Sequence, residues 1–459
     1  MMYMKKNNIQ TWALFLPEIK ELILEKNFPE LKKLLKGIHP VDIAEGWNRF
    51  TPQEKLLVFK LSEIRRAIEI FEELDFEEQT FILNNLEDRS ISELLTDMAS
   101  DEKAKLFKNL PDRIRKKMSA LLKKEDVEVV RKIAEYPEHT AGRLMSTDFI
   151  TITSQVTAKQ ALEKIQACAR LHRIVTIYAM YVIDDKNLLI GGVTLRRLIS
   201  APQDIKISEI MSPVRLIKIK STADQEDVAK LFSKYDLTAA PVVDDENHLI
   251  GVITIDDVVD VINQEATEDM TKMAGTSPKE LTKLSATSVA KLRLPWLVAT
   301  CFGEILVSNV IKHYNPTLQS IIALASFSPL IAAMGNNVGT QSSTISVRAL
   351  ATGEIKDSEV WRVGFLELKV GVFMGLFYGL FAAIVSLIMY PELGLKFALV
   401  IVMAMTAALT VASTAGGIEP FFFRKIGVDP ATATGPLIAT FTDIVGVTTY
   451  LGLATWLLL

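Results

Sequence analysis

After Arg293 the chain changes solvent, and no other feature limits its fold so strongly. Apolar runs cover about 294–311, 318–335, 363–389, 397–423 and 431–459. Each reaches or approaches the roughly 20 residues that cross a hydrocarbon core about 30 Å thick. Lipid offers no partner for backbone N–H and C=O groups, so these runs are expected to be helices. A five-helix, all-α transmembrane domain is therefore expected over 292–459. Five spans put the two ends of this region on opposite sides of the membrane. Lys291, Arg293, Arg348, Lys356, Arg362, Arg424 and Lys425 fall on one side, and only Lys312 and Lys396 on the other. Basic loops stay inside, so the N-terminal domains are expected in the cytoplasm and Leu459 outside. Residues 1–30 lack a signal-peptide apolar core with a small-residue cleavage site, which agrees.

The preceding 290 residues have an opposite composition. The whole chain is 23% charged yet has a mean hydropathy of +0.24, an average that conceals a soluble half and a lipid-facing half. The net charge of −4 comes with no basic stripe, so nucleic acid is not an expected partner. Cys168 and Cys301, one in each half, imply no disulfide framework. Over 1–137 the sequence reads as an all-α domain of short amphipathic helices. Leu74, Ile82 and Leu86 recur in register as Met98, Leu106 and Leu110, an offset of 24. Such an offset suggests stacked helical hairpins, against the plainer reading of an ordinary helical domain. Pro111-Asp112 marks one helix start.

A second repeat follows. Val182-Ile183-Asp184-Asp185 with Leu189 to Thr194 recurs as Val242-Val243-Asp244-Asp245 with Leu249 to Thr254. Each copy reads strand, acidic turn, strand, helix, and each is preceded by Leu144-Met145-Ser146 or Ile210-Met211-Ser212. The order is similar to a tandem pair of α+β CBS domains, expected at 138–203 and 204–263. An acidic connecting helix is expected over 264–291.

Two constellations carry chemistry. Asp443 sits near the middle of the last span, in a helix without a basic residue. A carboxylate at that depth costs on the order of 2.5–3.5 kcal/mol on insertion scales. A cation in a pore would offset it; the plainer role is a hydrogen bond to a neighbouring Ser or Thr. The second span runs into Met334-Gly335-Asn336-Asn337-Val338-Gly339-Thr340-Gln341-Ser342-Ser343-Thr344. Asn336, Asn337 and Gln341 supply neutral oxygens suited to Mg²⁺, which keeps several waters and takes one or two carboxylates; helix-packing glue is the alternative. Glu304, midway along the first span, is read as an outer or pore-adjacent carboxylate. Glu367 and Lys369 are read as structural, close enough to the cytoplasmic edge to snorkel, and Glu419 is assigned no role. The other constellation is Asp256, Asp257, Asp260, Glu265, Glu268 and Asp269, between the CBS-like repeat and the membrane; the plainer reading is a solvated helix face. Mutual repulsion would splay these acids, and a divalent ion would draw them together.

Taken with Arg293-Leu294-Pro295-Trp296, Arg348-Ala349-Leu350-Ala351-Thr352-Gly353, Gly427-Val428-Asp429-Pro430 and Gly435-Pro436-Leu437-Ile438-Ala439-Thr440, the chain resembles the MgtE family of magnesium channels and transporters over essentially its whole length. That resemblance implies a homodimer with Asp443 and Ala439 along the ion path and the connecting helix as a plug. It implies regulatory Mg²⁺ on acids matching Glu69, Asp224, Glu226, Asp236, Asp257, Asp260, Glu265, Glu268, Asp269 and Asp429. Two departures stand out: Asn336 replaces a glycine, and Ser92 and Thr96 stand where N-domain acids are expected, with Glu93 and Asp97 beside them. CBS pairs also take adenine nucleotides. Thr254 and Asp257 match the ribose-binding pattern, whereas the first repeat has Arg197 in place of the acid, so ATP is allowed rather than implied. The expected function is a Mg²⁺ channel gated by cytoplasmic Mg²⁺, not an enzyme. No phosphate-binding Gly-Lys loop, no His-Glu-x-x-His and no histidine within the five spans occurs. The rivals are conduction of Co²⁺ or another divalent cation by the same architecture, and a non-conducting CBS membrane sensor.

Overall fold

Ten-residue helices at twelve-residue steps build the N-terminal domain. The computed structural model describes residues 11–170, 179–213, 217–278 and 285–459, so the first ten residues of the expected helical domain lie outside the described residues. The chain divides into two compact units, Met1–Val261 and Ile262–Leu459. The first opens with α1 (Thr11–Leu24), α2 (Phe28–Gly37) and α3 (Pro40–Glu45). A regular series follows: α4 (Pro52–Leu61), α5 (Ile64–Glu73), α6 (Phe76–Asn85), α7 (Asp88–Asp97), α8 (Ser100–Asn109), α9 (Asp112–Leu121) and α10 (Lys124–Glu135). Thr51 and Glu54 cap α4 reciprocally, at 3.4 and 2.7 Å. Five of these helices end on a buried apolar residue in extended backbone, Leu74, Leu86, Met98, Leu110 and Leu122. That residue breaks the helix and fills the layer beneath it. The 24-residue offset is thus two such steps, and alternate helices stack, α3 on α5, α5 on α7, α7 on α9. Inside the core, Glu78 takes hydrogen bonds from Lys55 Nζ at 2.5 Å and Trp47 Nε1 at 3.0 Å, so the buried Lys55 is paired.

The CBS-like repeat forms two small sheets. In the first, β1 (Thr151–Thr153) lies parallel to β2 (Ala179–Ile183), which is antiparallel to β3 (Leu189–Thr194), with β4 (Ser212–Pro213) on the far edge. In the second, β5 (Ile219–Lys220) lies parallel to β6 (Ala239–Val243), antiparallel to β7 (Leu249–Thr254). The hairpins share one register, Ala179 opposite Thr194 and Ala239 opposite Thr254, and a bulge at the same place. Asp184 and Asp244 explain the acidic turns: each Oδ1 accepts two backbone N–H bonds, at 2.8–3.0 Å, while Asn187 and Asn247 take left-handed backbone. Helices α11 (Ala141–Leu144), α12 (Ala158–Arg170), α13 (Leu195–Ser200), α14 (Ile207–Ile210) and α15 (Gln225–Tyr235) pack on these sheets.

The two copies exchange their leading segments. Ser146 bridges to Val252 of β7, and Ser212 pairs with Gly192 of β3. Met145 accordingly belongs to the second core and Met211 packs on the first. A Cβ on Gly251 would meet Met145 Cβ at 2.8 Å, and one on Gly191 would meet Met211 Sδ at 3.0 Å. A boundary at 203/204 therefore separates chain segments rather than cores.

The expected connecting helix over 264–291 is corrected. Helix α16 (Ile255–Met273) begins earlier and stops at Met273, where Gly275 turns left-handed (φ 72°). Residues 279–284 lie outside the described residues, and the next helix starts at Ala286. The second unit then contains α17 (Ala286–His313), α18 (Asn315–Ser320), α19 (Ala323–Ala351), α20 (Val360–Met389), α21 (Gly394–Lys425) and α22 (Pro430–Leu458). Four helices, within 286–313, 357–389, 391–425 and 438–458, are long and apolar enough to cross a membrane among the described residues. The expected second span, 318–335, does not qualify: α19 starts later and continues for four turns through the polar run. On α20, Gly371, Gly375 and Gly379 lie against the backbone of α21, where a Cβ would come within 2.5–3.1 Å of a Cα. Small residues at this spacing let membrane helices approach closely.

Candidate functional site

In the second unit the candidate ion path is built where α17, α19 and α22 meet. Asp429 caps α22, its Oδ1 accepting from Ala431 N at 2.9 Å, which starts the helix one residue before Ala431. Ala439 and Asp443 lie one turn apart on α22, both half-buried. At the crossing of α17 with α22, a Cβ on Gly303 would run into Thr440. The next residue, Glu304, reaches the next turn of α22, and its carboxyl is in hydrogen-bonding range of Asp443. On α19, Gly339 lies against Thr442, the neighbour of Asp443. Asn336 is half-buried and its Oδ1 accepts from Thr340 Oγ1 at 3.3 Å. Asn337, Thr340, Gln341 and Thr344 form an exposed polar stripe along α19. Asn336, Asn337 and Gln341 make no side-chain hydrogen bond to Asp443 among the described residues.

The other membrane carboxylates have distinct surroundings. Glu367 Oε2 accepts from Ser342 and Ser413, each at 2.6 Å, tying α20 to α19 and α21. Glu419 lines an apolar cavity of about 860 Å³ with Thr414, Ile418, Phe422 and Ile438, and its buried Oε2 has no hydrogen-bond partner.

The acids that the resemblance marks as regulatory are divided between the two units. Asp224 caps α15, accepting from Glu226 N at 2.8 Å; Glu226 pairs with Lys230 at 2.8 Å. Asp236 ends α15 in left-handed backbone, and Asp260 is exposed on α16. In the second unit, Lys272 bridges Glu268 at 2.5 Å and Asp429 at 2.7 Å, so the end of α16 is held to the start of α22. Glu265 and Asp269 are half-buried on the same helix.

Asp257 belongs to another group. It lies in the first turn of α16, accepts from Thr254 Oγ1 at 3.0 Å, and faces Asp101 and Glu102 of α8. One carboxylate oxygen from each of the three lies within 4.8 Å of the others. The position of α8 follows from its N-terminus: Ser100 N donates to Asp148 at 2.9 Å, and Thr147 N donates to Ser100 Oγ at 2.8 Å. Lys105, one turn along α8, reaches Glu102 at 2.5 Å and Asp257 at 3.6 Å. Asp101 is buried with an Oδ1 that has no hydrogen-bond partner. Burial, then the Asp257 and Glu102 charges, pushes its carboxyl up to about 8. Burial, Glu102 and Asp101 do the same to Glu72, also to about 8, and Glu69 adds a smaller push in that direction. Burial raises Asp257 to about 6 against the pull of Lys105. These carboxylates are strained by mutual repulsion and desolvation, the condition a divalent cation relieves.

Asp101, Glu102 and Glu72 are not among the acids expected from the sequence, which places N-domain acids near 92 and 96. Ser92 instead donates to the Leu121 carbonyl at 3.2 Å, and Thr96 donates to the Ser92 carbonyl at 2.7 Å, both inside the helical stack. The helix one twelve-residue step later meets the CBS pair, and its Ser100-Asp101-Glu102 start was the available signal.

Comparison with known proteins accounts for this plan. Residues 328–453 match the family described as a divalent cation transporter, MgtE; 38–139 match the MgtE intracellular N domain; 141–204 and 207–264 match CBS domains. The magnesium transporter MgtE of Thermus thermophilus is 32% identical over 457 residues, covering 96% of this chain and 98% of that protein. The chain belongs to the MgtE family. Its Bacillus subtilis relative, also a magnesium transporter MgtE, is 29% identical over 95% of both chains. Family members have been solved in part: the cytosolic domain of the Mg²⁺ channel MgtE in complex with ATP covers 53% of this chain at TM-score 0.50 and 32% identity. The soluble part of a magnesium transporter covers 56%, at TM-score 0.50 and 26% identity. The helical N domain, the CBS pair and the helical membrane region read from the sequence are those of this family.

Proposed function

We propose that this chain conducts Mg²⁺ into the cell as a homodimer, and that cytoplasmic Mg²⁺ closes it. The observation that carries the reading is Asp443: a carboxyl in an apolar helix, faced by Glu304 and next to Thr442, which packs on Gly339 of α19. In a dimer the exposed stripe of Asn337, Thr340, Gln341 and Thr344 would line a watered path rather than meet lipid, and two copies of Asp443 would face one hydrated ion. The membrane potential favours entry by about 2.3 kcal/mol per charge per 100 mV.

Regulation is assigned to Asp101, Glu102 and Asp257 in the first unit, and to Glu268, Asp269 and Asp429 around Lys272 in the second. The buried, unpartnered Asp101 Oδ1 and the three converging carboxylates suit a hard divalent cation with oxygen ligands. Thr254 and Asp257 also suit an adenine nucleotide's ribose, and a relative's cytosolic domain binds ATP.

The test is ion flux into proteoliposomes, with Mg²⁺ competed against Co²⁺, Mn²⁺ and Ca²⁺. Preferential Mg²⁺ uptake that disappears in Asp443→Ala supports the proposal. Uptake of Co²⁺ in preference to Mg²⁺ assigns the architecture another cargo, and absence of any flux leaves the chain as a sensor.

A further inference from the structure

We propose that Lys105 is a built-in competitor for the divalent cation at the Asp101–Glu102–Asp257 cluster and sets the concentration at which that site fills. The inference rests on reading this cluster as a cation site. Helical spacing puts Lys105 on the same face as the acids, three residues after Glu102 and four after Asp101. Its ammonium pairs with Glu102 at 2.5 Å on its own helix and with Asp257 at 3.6 Å on α16. It therefore already joins the N domain to the CBS pair through two of the three carboxylates a cation would need. The third, Asp101, is left with a buried oxygen that Lys105 does not reach. Asp256 adds further negative charge beside Asp257.

The charge count explains the consequence. Three carboxylates and one ammonium carry a net charge of about −2 when ionised, which one divalent ion balances. The ion gains Asp101 but must displace the ammonium from Glu102 and Asp257, or share them with it at close range. In the ion-free state the ammonium weakens the repulsion that would otherwise part α8 from α16. Lys105 thus lowers the affinity of the site and narrows the difference between its filled and empty states, both of which bear on gating.

The experiment counts Mn²⁺, a paramagnetic substitute for Mg²⁺, bound to the purified full-length protein by electron paramagnetic resonance. The difference between wild type and Asp101→Asn isolates this site. Lys105→Met is expected to fill it at a concentration lower by about tenfold, the size expected for removing a unit charge a few ångströms from a divalent ion. Lys105→Arg keeps the charge and should stay near the wild-type concentration, which separates competition from misfolding. Hydrogen exchange of α8 in ion-free Lys105→Met should be faster than in wild type. An unchanged or higher filling concentration in Lys105→Met overturns the competition while leaving the site in place. Equal Mn²⁺ counts in wild type and Asp101→Asn remove the site itself, and the inference with it.

Discussion

At the residue scale the decisive groups are carboxylates in unfavourable surroundings. Asp443 has no basic partner on α22, and the group facing it is another acid, Glu304. Such a pair is stable in a membrane helix bundle when a cation or a shared proton compensates it. Asp443→Ala is therefore expected to reduce Mg²⁺ flux at least about a hundredfold while the dimer still forms, a loss of the order seen when a charge-assisted interaction of about 3 kcal/mol disappears. Proteoliposome flux and size-exclusion chromatography on the same preparation read the two quantities. Glu304→Gln should lower flux less, since Asp443 remains. Asn336 stands where the resemblance leads one to expect glycine, and its amide is already engaged with Thr340. Asn336→Gly should retain transport and alter discrimination between Mg²⁺ and larger ions; complete loss would mean that the amide is structurally required.

At the scale of elements, packing follows from which side chains each backbone crossing tolerates. The exchange of leading segments puts Met145 over Gly251 and Met211 over Gly191. Gly251→Ala should lower the thermal midpoint, at a cost of about 1–3 kcal/mol from overpacking. Gly192→Ala should be far milder, because the nearest atom to its added Cβ is the Met180 carbonyl oxygen at 3.6 Å. Differential scanning calorimetry compares the two. Helix α16 presents a second case. Lys272 pairs with Glu268 on its own helix at 2.5 Å and holds the helix end to Asp429 at 2.7 Å, both pairs partly exposed and so worth little individually. Lys272→Met should increase protease cleavage at the end of α16 in the absence of Mg²⁺; protection equal to wild type would show that this latch contributes nothing.

At the scale of the whole molecule, the proposed regulation has the acids convert ion concentration into a conformational preference. Asp101 and Glu72 are held at about 8 and Asp257 at about 6 in the ion-free protein, all above the values of an unfolded chain. Raised carboxyl pKa values mean that folding takes up protons. The stability they contribute is present below about pH 4 and is lost as pH rises through about 6 for Asp257 and about 8 for Asp101 and Glu72. Hydrogen-exchange protection of α8, corrected for intrinsic rate, should therefore fall between pH 6 and 8.5 without Mg²⁺, and Asp101→Asn should flatten the profile. Added Mg²⁺ should restore protection at pH 8 and release protons, because its ligands must be deprotonated. The proposed gating uses the same groups. A variant with Asp101, Asp257 and Glu268 changed to Asn, Asn and Gln loses the differential affinity that shifts the equilibrium. Its open probability in patches should stay high at Mg²⁺ concentrations that close the wild type, and closure at the wild-type concentration would rule these acids out.

Much of this architecture was legible because it rests on periodicity and transfer free energy, which are properties of the chain itself. Apolar runs of spanning length, the recurring Val-x-Asp-Asp turns and the isolated Asp443 each carry their meaning locally. The 24-residue offset also exposed the helical stack, since each step ends on an apolar residue that must be buried. Tertiary structure decided what depends on which surfaces meet. No spacing rule says that Ser100 docks on Thr147 and Asp148, and that contact, not the acids near 92 and 96, brings Asp101 and Glu102 to Asp257. Nor does helical spacing say that Gly303 crosses Thr440 and sets Glu304 against Asp443. Sequence determines which groups are costly to bury, because that cost belongs to each residue; only the fold determines which of them share one site, because proximity between distant segments belongs to the packed backbone.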